Sequence, residues 1–360
     1  LRLTPQRPLP LATEVRLTVD PSLRGREGPL PMDQRRDVRF RTYGPLVVER
    51  LSCNKDTPHG RCAPYDPVGL ELSNAVPRRD LQRLVTIEPA VPLSWPKESE
   101  GTTRYVTVPA TLKPGQSYRI TVKAGLRDEY GQSLAKDASL AVEVDDLWPR
   151  VELGLEGTSF ESAPRARRGR PREVPITAVN TDSYEVVTAP LDEAAIARLS
   201  RRGSSEPELF QSATKLPGAN VRTVRPSAPA NVDAVERVSL DEVLARGKGR
   251  GGALVGIRYR PRSGGVRHDV RVVALTDLAL TAKVSRFGTL AWVTRLSTGE
   301  PVGGATVSVR NTEGREVATV AADGQGLAFL PPEKLQPVEP SGNFASLVLF
   351  ARSGSDATFH

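Results

Sequence analysis

LKPGQSYRITVKAGLRDEYG, residues 112–131, has a partner in the same chain: LPLATEVRLTVDPSLRGREG, residues 9–28, aligns with it without a gap at an offset of 103. Seven positions are identical: Leu9/Leu112, Arg16/Arg119, Thr18/Thr121, Val19/Val122, Leu23/Leu126, Arg24/Arg127 and Gly28/Gly131. They fall on a strand and on the glycine turn that follows it. In the later copy Tyr118, Ile120 and Val122 alternate with Arg119, Thr121 and Lys123, the period of two that a half-buried strand requires. A further strand is expected after each turn, over 38–42 and 139–144. The offset is the size of one immunoglobulin-like sandwich, about 100 residues, so the repeat predicts two such modules in tandem.

The later copy has room for earlier strands, expected over 46–51, 68–73 and 84–87. The earlier copy starts only eight residues before the aligned block. The expectation is that the first module lacks most of its N-terminal half, is poorly stable alone, and that the chain is a piece of something longer.

Composition points the same way. Thirty-one prolines and thirty glycines in 360 residues suit many short strands joined by tight turns. Aromatics are 5% of the chain and Met32 is the only methionine, so Val, Leu, Ile and Ala must build the cores. The net charge of +8 comes mostly from arginine, with lysine at nine positions. These arginines are scattered among acidic residues along strand-like segments, which argues against nucleic acid as a partner. No run approaches the roughly 20 apolar residues of a membrane helix. The opening LRLTPQRPLP has no signal-peptide pattern, so any export signal is expected upstream.

From WPRVELGLEG at 148 the repeat gives way to other material. Strands are expected over 151–156, 173–179, 184–188, 253–259 and 270–275, enclosing a helical insert. LDEAAIARLSRR, 191–202, carries Leu191, Ala194, Ala195 and Leu199 on one helical face, and SLDEVLARG opens with Ser239 and Glu242 in capping-box spacing. The intervening 204–231 reads as irregular. From Asp277 the pattern is again purely strand-like, with Trp292 and Leu290 expected to fill the last core. TGEPVGGATV, 298–307, reads as the turn between the second and third strands of that sandwich, where Ala305, Val307 and Val309 alternate with Thr306 and Ser308.

The two cysteines lie in LSCNKDTPHGRCAP. Cys53 and Cys62 flank a polar loop with Pro58 and Gly60 that can bring its ends together, and a local disulfide formed in an oxidising compartment is the expectation. A free thiol pair, or a metal held by Cys53, His59 and Cys62, are the other readings; His268 and His360 are too far along the chain to suggest a fourth ligand. No catalytic, cofactor-binding or metal residue is assigned. The histidines share no Glu-x-x-His spacing, no G-x-S-x-G occurs, and GRGG at 249–252 follows a helix rather than a strand, the reverse of a phosphate loop. The basic runs PRARRGRPR, 164–172, and RGKGRGG, 246–252, lack aromatics for base stacking and read as solvated loops.

Taken together, SYRITVKAGLRDEYG at 117–131, EVPITAVNTDSYEVVTAPLDEAAI at 173–196 and TDLALTAKVSRFGTLAWVTRLSTGEPVGGATVSV at 276–309 resemble the bacterial alpha-2-macroglobulins. The order of modules, with DLALTAKVS leading into AWVTRLSTG, is the specific part of the likeness. ADGQGLAFLP, 322–331, is shared with many extracellular sandwiches. The resemblance implies a mainly β chain of tandem immunoglobulin-like and macroglobulin-type sandwiches. Its expected divisions are 1–44, the C-terminal part of a truncated immunoglobulin-like module; 45–147, a complete one; 148–275, a macroglobulin-type domain with the helical insert; and 276–360, a second macroglobulin-type domain. It further implies a periplasmic or extracellular protease trap whose partners are proteases, with membrane anchoring through a missing N-terminus, no cofactor and no enzymatic activity. The Cys-x-Glu-Gln thioester sequence of such traps is absent, since Cys53 precedes NKD and Cys62 precedes APY. This stretch is therefore expected to supply framework, neither inhibiting nor cleaving proteases by itself. The alternative is the stalk of an adhesin-like or cell-envelope structural protein.

Overall fold

The computed structural model describes residues 4–32, 34–96, 100–155, 159–161, 172–200, 205–247, 252–261, 264–335 and 347–360. The chain forms two compact units, Leu1–Leu147 and Trp148–His360.

In the first unit a hairpin of β1 (Glu14–Val19) and β2 (Arg36–Arg41) forms a two-stranded sheet of its own. The rest is a sandwich. One sheet runs β3 (Val48–Ser52), β4 (Val68–Pro77) and β6 (Thr102–Val108); the facing sheet runs β5 (Val85–Glu88), β7 (Ser117–Val122) and β8 (Ala138–Glu143), all antiparallel. Alternate residues of β4, among them Leu70, Leu72 and Val76, turn inward to meet Tyr118, Ile120 and Val122. A short helix α1 (Arg78–Leu84) leads into β5 and buries Leu81. No sequence pattern signals it, because Leu81 and Leu84 alone are too short a pattern to show helical periodicity.

The repeat is visible in the backbone. β1 pairs with β2 through Val15↔Phe40 and Leu17↔Val38, and β7 pairs with β8 through Tyr118↔Val142 and Ile120↔Leu140. The turn bridges correspond as well, Arg24↔Pro31 in one copy and Arg127↔Ser133 in the other.

The second unit begins with β9 (Arg150–Leu153), β10 (Ser159–Glu161), β11 (Glu173–Val179) and β12 (Tyr184–Leu191). Helices α2 (Glu193–Leu199) and α3 (Glu206–Ala213) follow, then β13 (Asn220–Val224), β14 (Ala234–Ser239), α4 (Leu240–Ala245), β15 (Gly252–Tyr259) and β16 (Arg267–Thr276). A five-stranded sheet in the order β10-β16-β15-β12-β13 faces a three-stranded sheet β14-β11-β9. Val174, Ile176 and Val238 meet Val186, Val255 and Ile257 between them. β12 and β15 are buried on both faces, which is why VVTAPL and GALVGI read as unbroken apolar runs rather than alternations. Their outer face is covered by α2 and α3.

Two expectations are corrected here. The stretch 204–231 is not irregular, since it holds α3 and β13; the Ser205 N–H donates to Glu208 Oε2 at 3.0 Å, starting a helix that the surrounding prolines and glycine obscured. Leu191 ends β12 instead of opening a helix. Asp192 is the cap, its carboxylate accepting from the Ala195 N–H at 2.7 Å, and the helix buries Ala195, Ile196 and Ala197.

The remaining strands are β17 (Leu278–Ser285), β18 (Gly288–Arg295), β19 (Thr306–Asn311), β20 (Glu316–Ala321), β21 (Leu327–Leu330), β22 (Leu347–Ser353) and β23 (Asp356–Phe359). Sheets β17-β18-β21 and β20-β19-β22-β23 enclose Ala291, Val293, Val307 and Val309. TGEPVGGATV does join the second and third of these strands. Gly299 and Gly304 take φ of +76° and +72°, a conformation that costs glycine nothing and most residues a good deal. Trp292 and Leu290 do not fill the core: they are 45% and 40% exposed, while Ala291 and Val293 point inward. Alternation along β18 fixes that the two sets face opposite ways, and the sheet β20-β19-β22-β23 packs on the smaller set.

Val348 and Phe350 of β22 pack with Ala195, Ile196 and Phe210 in a single buried cluster, so the helical insert lies between the two sandwiches of this unit. Glu193, in the first turn of α2, accepts from Arg310 Nε at 3.2 Å and is also ion-paired with Arg352.

Candidate functional site

The structure joins Cys53 and Cys62 in a disulfide, with Cα atoms 5.4 Å apart. The loop they close is held by a residue from the far end of the module. Asp145, just past β8, has a fully buried side chain. Its Oδ2 accepts from Thr57 Oγ1 at 2.7 Å, the His59 N–H at 2.7 Å and the Arg61 N–H at 3.3 Å. Its Oδ1 accepts from the Asp146 N–H at 2.8 Å and lies 2.6 Å from His59 Nδ1. An ionised carboxylate only accepts, so the proton on this histidine nitrogen faces Asp145. Backbone bonds finish the junction: the Cys62 N–H donates to Glu143 O at 3.0 Å and the Asp145 N–H to Cys62 O at 2.9 Å.

Burial pushes the Asp145 carboxyl up, but the hydrogen bonds from Thr57, His59 and Asp146 outweigh it and hold the group well below the usual carboxylate range. A permanently ionised group encircled by donors is a structural clamp, unsuited to act as a general base near neutral pH.

His59, Asp145 and Asp146 are grouped closely enough to hold a cation. The five donors around Asp145 argue against that use, because a cation would have to displace them. His59 serves the clamp, while Cys53 and Cys62 are bonded to each other. Asp145 was invisible to sequence reasoning, because 86 residues separate it from His59 and nothing local marks it. The basic run 164–172 lies outside the described residues except for Arg172, which pairs with Asp241 at 2.6 Å. Most of RGKGRGG is likewise outside them.

A second feature is the outer face of β17-β18-β21. Leu290 stands opposite Phe329 and Trp292 opposite Leu327, all four exposed. The indole is fixed by its Nε1–H donating to Gln325 O at 3.1 Å.

Comparison with known proteins finds likenesses to one family. Residues 275–360 match the model for the bacterial alpha-2-macroglobulin MG3 domain. An alpha-2-macroglobulin homolog of Nostoc sp. is 29% identical over 163 residues, covering 42% of this chain and 8% of that protein. The chain thus spans less than a tenth of the curated relative's length. The crystal structure of native alpha-2-macroglobulin from Escherichia coli spanning domains MG0-NIE-MG1 has a TM-score of 0.50 and 16% identity, over 88% of this chain and 96% of that one, a likeness of fold. The cryo-EM reconstruction of the native conformation of the E. coli protein matches at 18% identity with a TM-score of 0.43, over 88% of this chain and 19% of that one. With its mainly β sandwiches and an MG3-type domain over 275–360, the chain is similar to the bacterial alpha-2-macroglobulins.

Proposed function

We propose that this chain is a non-catalytic framework part of a protease-trapping inhibitor, exported to the periplasm or beyond, whose targets are proteases that the complete protein engages. The observation that carries the reading is the MG3-domain match over 275–360, set on a structure of apolar-cored sandwiches. The Cys53–Cys62 link supports an oxidising compartment, where such bonds persist. Rigid sandwiches suit a frame: their inner faces are committed to cores, and the buried carboxylate of Asp145 is spent on holding a loop. The stalk reading has the tandem modules in its favour but lacks the family match.

The test compares the chain with the full-length product of its gene, each mixed with trypsin, elastase or subtilisin. Cleavage of a large protein substrate and of a small peptide is followed. The full-length protein should block the large substrate while sparing the small one, and the chain alone should block neither. Stoichiometric protection of the large substrate by the chain alone would place the inhibitory element inside it and overturn the reading.

A further inference from the structure

β13 ends the five-stranded sheet, and among the described residues no backbone group pairs with its outer edge. The strand, NVRTV, runs beside β12 in unbroken antiparallel register from Tyr184↔Val224 to Thr188↔Asn220. It has no proline, no lysine and no bulge, three devices that commonly keep a sheet edge from accepting another strand. A strand bonds each neighbour through alternate residues, so β13 presents a row of N–H and C=O groups on its open side.

Directly inside this edge, between β13 and α4, is a cavity of about 230 Å³ lined by Thr188, Asn220, Arg222, Arg237, Glu242 and Arg246 among others. Three guanidinium groups against the one carboxylate of Glu242 make the lining cationic. Arg222 pairs with Glu236 at 2.6 Å, and Arg237 reaches Glu173 only at 3.9 Å. Arg246, the C-cap of α4, donates from Nη2 to Thr188 Oγ1 at 2.6 Å, and no described carboxylate pairs with it. A guanidinium carries five N–H donors, so Arg246 keeps the capacity to bind a carboxylate. The volume is below the roughly 300–1,000 Å³ of small-molecule sites and suits a single side chain.

We propose that β13 accepts an extended peptide as a sixth strand, with an aspartate or glutamate side chain of that peptide seated in the cavity against Arg246 and Arg222. Main-chain bonds along the edge supply the affinity, and the cavity selects the side chain. An added strand places alternate side chains on the face shared by Asn220 and Arg222, which is the face the cavity opens on. Arg222 is a charge pointing inward at a sheet edge and so disfavours an apolar strand, which leaves an acidic one as the segment that fits. This recognition does not depend on protease trapping.

The test titrates the 360-residue chain with the capped peptide Thr-Val-Glu-Val-Thr up to millimolar concentration, following the heat of binding and hydrogen exchange. Binding should slow exchange in β13. Replacing the peptide's glutamate by glutamine should weaken binding by at least about tenfold, because the charge-assisted bonds are lost. Arg246→Gln, at an exposed position, should erase that difference between the peptides. Methylating the two valine nitrogens, or instead the threonine and glutamate nitrogens, separates strand addition from simple ion attraction. One methylated version should lose binding and the other keep it. The proposal is overturned by no binding at millimolar peptide, by protection elsewhere than β13, or by a glutamate preference that is absent or that survives Arg246→Gln. Equal behaviour of the two methylated versions overturns it too. So does protection of β13 that rises with protein concentration without peptide, which would make a second copy of the chain the strand that adds.

Discussion

Tyr43 lies flat on Tyr130, ring centroids 4.0 Å apart and planes within 3°. The first residue leaves the hairpin β1–β2, and the second sits on the turn between β7 and β8. Beside the stack, Gly44 O accepts from Asn74 Nδ2 at 2.9 Å and Gln132 Nε2 at 3.0 Å, and buried Asp128 holds both amides in place. The repeated turn of one module thus grips the exit strand of the other. Tyr43→Ala should cost about 0.5–1.5 kcal/mol at this contact. Limited proteolysis should show new cleavage between 41 and 47; an unchanged digestion pattern would mean that the amide contacts to Gly44 suffice.

The Asp145 clamp sets an acid limit on the first unit. Its carboxyl is depressed in the folded state, so its stabilisation is complete above the unfolded value of about 4 and drains away as pH falls below it. Between pH 5 and 8 it adds no pH dependence. Asp145→Asn should lower the denaturation midpoint at pH 7 and flatten the loss between pH 4 and 2 compared with the parent. An identical acid profile in the variant would show that other carboxylates carry the transition.

Cys53→Ser with Cys62→Ser should destabilise the first unit by about 2–3 kcal/mol, the chain-entropy value for so short a loop. Peptide mapping without reduction, on protein expressed in the periplasm, should recover the two cysteine peptides linked. Two free thiols would refute the assignment.

Parity along β18 makes opposite forecasts for neighbours. Trp292→Ser, on the exposed face, should cost about 1 kcal/mol or less. Ala291→Asp and Val293→Asp, in a core that neither hydrates nor pairs a charge, should each prevent the second unit from folding. Thermal melts decide, and the assignment of faces fails if Trp292→Ser is the more damaging change.

Phe350 is almost completely buried against the helical insert, and Phe350→Ala should cost about 3–5 kcal/mol in a urea titration. Glu193→Gln should lower the same midpoint by less, because Arg310 and Arg352 are partly exposed and recover water. If residues 276–360 expressed alone melt at the same temperature as the intact unit, the buried cluster around Phe350 is not what couples the two sandwiches.

What repeats locally was legible in the residues alone. Alternation in SYRITV and GATVSV marked strands, glycines at 299 and 304 marked the turn, and the gapless offset of 103 carried the equivalence of β1–β2 with β7–β8 down to paired residues. These are properties of two to twenty consecutive residues, which backbone geometry converts directly into structure. Which side of a strand faces a core depended instead on how the sheets pack. Period two separates Leu290 and Trp292 from Ala291 and Val293, but the sheet that packs against β18 selects the smaller pair. The same holds for Asp145, whose partners lie 84 to 88 residues away, and for Phe350, which is buried by helices more than 130 residues earlier in the chain. Burial and hydrogen bonding depend on surfaces brought together by the whole chain, and no local pattern records them.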